Sequence, residues 1–260
     1  MPDNPPLNVS SRRHPVYRRR TLLLLAVLLL AATAFIARPR RADPLPGFPH
    51  LMLWAWERPE RLPFLDPHAA GVAFLARTIR WHDGSIESRP RLQPLSVPPE
   101  TALMAVVRLE SAGGPPPDAR AIAREAARAA ELPQVRALQI DFDTMLSERE
   151  WYRGMLQRLR EDLPARVPLG ITALVSWCRA GDWLGGLPVA DAVPMLFRMG
   201  PGEEFDGAAF RDSLCQASAG LSTDELPREA LPGRRVFLFH PRSWTPETYR
   251  GALLIARRWR

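Results

Sequence analysis

Short apolar runs recur along the chain from residue 50 onward, separated by polar, proline-rich or alanine-rich stretches. The runs at 50–56, 71–81, 101–110, 138–143, 168–177, 192–197, 218–222 and 234–240 are apolar almost throughout, as expected of strands covered on both faces. The Asp83-Gly84 pair predicts a tight hairpin that returns the second strand along 86–92. Helical patterns fill much of the remainder: Asp118 to Ala130, Ser147 to Leu163 behind a Ser-x-x-Glu capping box, a helix within 205–216, and a last helix capped by Thr245 with Pro246 at its first position. This alternation predicts an α/β protein, a single (β/α)8 TIM-like barrel over 50–260.

The fourth run, Leu138-Gln139-Ile140-Asp141-Phe142-Asp143, differs from the others because its two faces disagree. On a strand, Leu138, Ile140 and Phe142 share one face, while Gln139, Asp141 and Asp143 share the other. Barrel active sites lie at the C-terminal ends of the strands. Reading those ends selects Glu57, Glu110, Asp141, Asp143, Trp177, Asp182, Arg198, Asp224, Glu225 and His240.

A rim of acids with aromatic residues suits a polyhydroxylated ligand, since carboxylates accept hydrogen bonds from hydroxyls and an aromatic face stacks on a sugar ring. Asp141 and Asp143 are the expected catalytic pair, with Glu225 as an acid across the barrel, because glycoside hydrolysis divides acid and base roles between carboxylates. Glu57, Glu110, Trp177, Asp182, Arg198, Asp224 and His240 are expected substrate contacts. The competing reading is structural: strand-end acids cap helices or pair with arginines, Trp177 packs in the core, and His240 is a satisfied structural histidine. No histidine partner stands at metal-ligand spacing, and no phosphate-loop, dinucleotide or Gly-x-Ser-x-Gly motif is present, so no metal or cofactor is expected.

The formal charge is +7, but its location changes what it means. Residues 1–41 hold Arg12, Arg13, Arg18, Arg19, Arg20, Arg38, Arg40 and Arg41 against Asp3 alone, leaving the rest of the chain neutral. A neutral body argues against a nucleic-acid partner. Residues 1–20 read as a basic tail, 21–37 as an uncharged apolar segment that fits either a membrane anchor or a cleaved signal peptide, and 38–49 as a proline-rich linker. Both readings export the domain, to the periplasm or another extracytoplasmic space, and leave the membrane as a partner through 21–37 if the segment is kept. Export permits a disulfide between the two cysteines, Cys178 and Cys215; two buried thiols are the alternative.

The runs Leu53-Trp-Ala-Trp-Glu-Arg-Pro-Glu60, Gly71-Val-Ala-Phe-Leu75, Leu138 to Asp143, Ser147-Glu-Arg149, Gly170-Ile-Thr-Ala-Leu174, Ser176-Trp-Cys178 and Ala192 to Gly200 resemble a bacterial family catalogued as domain of unknown function 3142. The resemblance implies an exported or membrane-attached protein with a barrel like those of glycoside hydrolases. The Asp-Phe-Asp strand is also similar to the fourth-strand Asp-x-Asp of chitinase-like glycosidases, in which a glutamate two residues further on donates the proton. Met145 occupies that position here, so either Glu148 or Glu225 replaces it or the domain does not use that mechanism. The expectation is an exported glycoside-hydrolase-like protein acting on a polysaccharide, with a non-catalytic barrel that binds glycan or an envelope protein as the alternative.

Overall fold

The computed structural model describes residues 42–181, 183–200 and 204–260; the basic tail, the apolar segment at 21–37 and Asp182 lie outside the described residues. Among the described residues no helix is long and apolar enough to cross a membrane.

The strands are β1 (Leu51–Ala55), β2 (Glu60–Arg61), β3 (Ala70–His82), β4 (Ser85–Pro90), β5 (Leu95–Ser96), β6 (Leu103–Ser111), β7 (Val135–Asp141), β8 (Leu169–Leu174), β9 (Asp191–Met195), β10 (Ser218–Ser222) and β11 (Arg235–Phe239). Strands β1, β3, β6, β7, β8, β9, β10 and β11 pair in parallel in that order, and β11 pairs back to β1, closing a barrel. Strand β4 adds an antiparallel hairpin to β3, and β2 pairs with β5 apart from the barrel.

The outer layer holds α1 (Ala119–Ala127), α2 (Arg149–Asp162), α3 (Val175–Ala180) and α4 (Pro246–Arg258). Strict (β/α)8 alternation is not met: among the described residues β1, β3 and β10 have no helix after them and β9 has only a 3-10 turn, while the β2–β5 pair and the β3–β4 hairpin occupy the connections after β1 and β3. The helix expected within 205–216 reduces to a 3-10 turn, Ser213–Gln216. Gly207 takes a left-handed φ of 76°, and Asp206 accepts the Ala208 N–H, so the chain turns where a helix would need to continue.

Two layers of apolar packing follow from strand alternation. Leu138, Ile140 and Phe142 face the helices, in the core that includes Ile122, Tyr152, Met155 and Leu159. Met52, Trp54, Ala73, Met104, Val106, Ala137, Val193 and Phe237 fill the barrel. Two glycines make that filling fit. A Cβ at Gly220 would lie 2.9 Å from the Trp54 ring, and one at Gly71 would lie 2.7 Å from the Met52 sulfur.

The lower end of the barrel is plugged by residues assigned from sequence to a linker. Leu45 and Phe48 join the inner core, and Arg235 clamps the plug by donating to both Asp43 oxygens (3.0 and 2.9 Å) and to the carbonyls of Leu45, Phe48 and Pro49. The compact unit therefore begins at Asp43 rather than at residue 50.

Candidate functional site

Strands β6, β7 and β8 are neighbours, and their register sets Arg108 opposite Asp141. Below Asp141 on the inner face, Gln139 accepts a hydrogen bond from the Trp54 indole at 3.1 Å. Phe142 turns outward, 5.5 Å from Trp81 and 5.2 Å from Tyr152. Inner and outer contacts together fix Asp141 at the mouth. The Thr172 hydroxyl donates to its Oδ1 at 2.8 Å, and the Arg108 guanidinium lies 3.4 Å from its Oδ2.

Asp141 is buried, and that burial pushes its carboxyl above the ordinary carboxylate range. Arg108 and Thr172 pull it back in part, while Asp143 and Glu110 push the same way as burial. Asp143, two residues on and past the end of β7, is exposed and makes no hydrogen bond or ion pair with a described residue. The two acids thus have different environments, one buried with its carboxyl raised and one open to solvent.

Glu110 faces the same cleft but is occupied. Arg108 donates to one of its oxygens at 2.8 Å and Arg80 to the other at 2.5 Å. Burial alone would raise this carboxyl, but those two guanidiniums hold it below its usual value. A cleft of about 480 Å³ lies along Arg80, Arg108, Glu110, Asp141, Asp143 and Met145.

The opposite wall of the mouth is aromatic. Trp56, Phe197 and Phe239 are half-buried, with Phe197 and Phe239 6.0 Å apart and their planes within 2°. Trp56 meets Phe239 edge-on at 6.4 Å and lies 5.9 Å below the Arg108 guanidinium. These rings and Arg108 were not among the residues chosen from sequence. The period of two carries the signal, since Trp56 follows Trp54 and Phe239 follows Phe237 onto the inner face.

The other expected site residues are placed as follows. Both Glu225 oxygens accept the Arg198 backbone N–H (3.0 and 3.1 Å), and Arg198 stands at a left-handed φ of 52°; the exposed Glu225 carboxylate thus ties two loops of the rim together. Asp224 accepts the Ser222 hydroxyl, which with Arg198 and His240 lowers its carboxyl despite some burial. His240 bonds Thr223 Oγ1 through Nδ1 at 2.6 Å and lies 5.1 Å from the Trp244 ring; burial, then Arg242 and Arg58, lowers its pKa. Glu57 pairs with Arg89 of the hairpin at 2.8 Å.

Trp177 is not at the rim. Strand β8 ends at Leu174, and Trp177 is carried on α3 into the core, 5.0 Å from Trp183. Glu148 is buried and accepts the Met145 N–H at 2.9 Å, capping the turn before α2 in place of the expected Ser147 and Glu150. Met145 itself is exposed beside Asp143. Cys178 and Cys215 form a disulfide with Cα atoms 5.8 Å apart. Among the described residues, no group of three or more His, Cys, Asp or Glu side chains is arranged to hold a metal ion.

No family model matches this chain, and no curated protein matches it. Among solved structures it is similar to the spore cortex-lytic enzyme SleL of Bacillus cereus, at a TM-score of 0.35 and 17% identity, over 57% of this chain and 41% of that one. The chain spans less than half the length of that enzyme.

Proposed function

We propose that the C-terminal mouth of the barrel is a glycan-binding site, in which Asp141 and Asp143 accept sugar hydroxyls and the rings of Trp56, Phe197 and Phe239 receive the apolar face of a pyranose. The observation that carries this reading is the pairing, across one mouth, of an exposed carboxylate with no partner among the described residues (Asp143) and a wall of half-buried rings. Polar hydroxyls and an apolar ring face are the two surfaces a sugar presents.

Hydrolysis is the second reading, favoured by one observation: Asp141 is held toward its protonated form beside an open Asp143, the kind of divided pair that acid catalysis uses. The glutamates nearby do not complete a chitinase-like set, because Glu110, Glu148 and Glu225 are each bound by other groups. Binding is therefore the primary reading. The reading also keeps the chain exported, with the apolar segment at 21–37 as anchor or signal and the Cys178–Cys215 bridge as a feature suited to an oxidising compartment.

A glycan array probed with the full chain tests both. Retention of particular glycans by the wild type and loss by Asp143→Asn supports the site; shortening of a retained glycan on long incubation supports hydrolysis. Equal, featureless signals for all glycans refute the reading.

A further inference from the structure

A larger hollow of about 990 Å³ adjoins the aromatic wall, lined by Arg179, Arg198, Arg211, Phe197, Glu204 and Asp206 among others. Its two sides are α3 and the segment leading to Ser213. They are tied together by the Cys178–Cys215 bridge and by the Arg211 and Asp212 N–H groups, which donate to the Cys178 carbonyl at 3.1 and 3.2 Å. The hollow is thus a braced feature rather than a gap between independent loops.

Its lining carries three arginines, Arg179, Arg198 and Arg211, against two acids. Asp206 is taken by Arg179, and Glu204 by Arg228 at 3.5 Å. Arg198 and Arg211 form no ion pair with a described residue. Arg198 is also pre-positioned. Glu225 fixes its backbone through both oxygens, and its guanidinium rests 5.4 Å over the Phe239 ring, which stacks on Phe197. Nearby, Arg179 keeps a buried Nε without a hydrogen-bond partner.

A guanidinium held beside stacked rings, with a second arginine in the same hollow, suits a ligand carrying a carboxylate on a sugar ring, because the ring can stack while its carboxylate accepts a forked pair of N–H bonds. We infer that the protein takes an acidic glycan, with a carboxylate-bearing sugar against Phe197 and its charge on Arg198 and Arg211. This deepens the glycan reading and rests on it.

The test is calorimetric titration of the full chain with tetragalacturonic acid and with its full methyl ester, which keeps the rings and removes the charge. The expected result is that the acid binds about tenfold more tightly or better, and that Arg198→Gln with Arg211→Gln collapses the ratio of the two affinities toward one. The melting temperature of the double variant shows that it remains folded. Neutral glycans bound with no preference for the acid, or a preference that survives in a folded double variant, overturns this inference and leaves glycan binding standing. Failure of every glycan, neutral or acidic, overturns both.

Discussion

The Thr172 hydroxyl on β8 donates to Asp141 Oδ1 on β7 at 2.8 Å, while Arg108 on β6 reaches the other oxygen. Three adjacent strands thereby hold one buried carboxylate at the barrel mouth. Thr172 favours the ionised form, so its removal has a defined sign. Thr172→Val keeps the shape and deletes the donor, and the Asp141 carboxyl is expected to titrate at higher pH than in the wild type, by carboxyl-carbon NMR. An unchanged or lower midpoint would mean that this hydrogen bond does not set the acid's ionisation.

The same acid gives the fold a pH signature. The pKa of Asp141 is raised in the folded state, so its contribution to stability is full below the unfolded carboxylate pKa of about 3.9 and is lost as pH rises through the native value. Asp43 and Glu110 act with the opposite sign, since guanidinium partners depress them despite burial; their contribution is present above the unfolded value and lost as pH falls through the folded one. In urea unfolding across the acid range, Asp141→Asn is expected to flatten the loss of stability on the rising-pH side and to leave the acid-side loss in place. A variant whose profile parallels the wild type at every pH would contradict this assignment.

The plug at the lower end is a stability element far from the mouth. Arg235 is nearly buried and donates to Asp43 and to three plug carbonyls. Arg235→Met fills similar volume but leaves those acceptors without their donor, and is expected to cost about 2–4 kcal/mol in urea unfolding. Glycan binding measured well below the unfolding midpoint should be retained. Loss of binding in a folded variant would place the plug in the site.

Much of this architecture could be read in the chain because parallel barrel strands are buried on both faces and so stand out as apolar runs. That Gln139 and Asp141 share one face and Phe142 the other followed from alternation; that the first face points into the barrel is what the structure adds. What could not be read depends on long-range pairing. Nothing near Glu225 in sequence shows that both its oxygens close on the Arg198 N–H across 27 residues, and nothing near Glu110 shows that two arginines will occupy it. Trp177 was misplaced because an apolar run continues from strand into helix, and composition does not mark the change from one period to the other. The plug was mistaken for a linker because its prolines mask Leu45 and Phe48, which pack inside the barrel.

Asp143, exposed at the mouth, is the residue proposed to bind glycan while doing little for the fold. Calorimetry of the full chain and of Asp143→Asn, on a glycan retained by the array, tests it most directly when paired with thermal unfolding. Affinity weaker by about tenfold or more is expected, the loss of a charge-assisted hydrogen bond, with stability changed by no more than about 0.5 kcal/mol. Undiminished affinity, or a collapse of the fold, would contradict it.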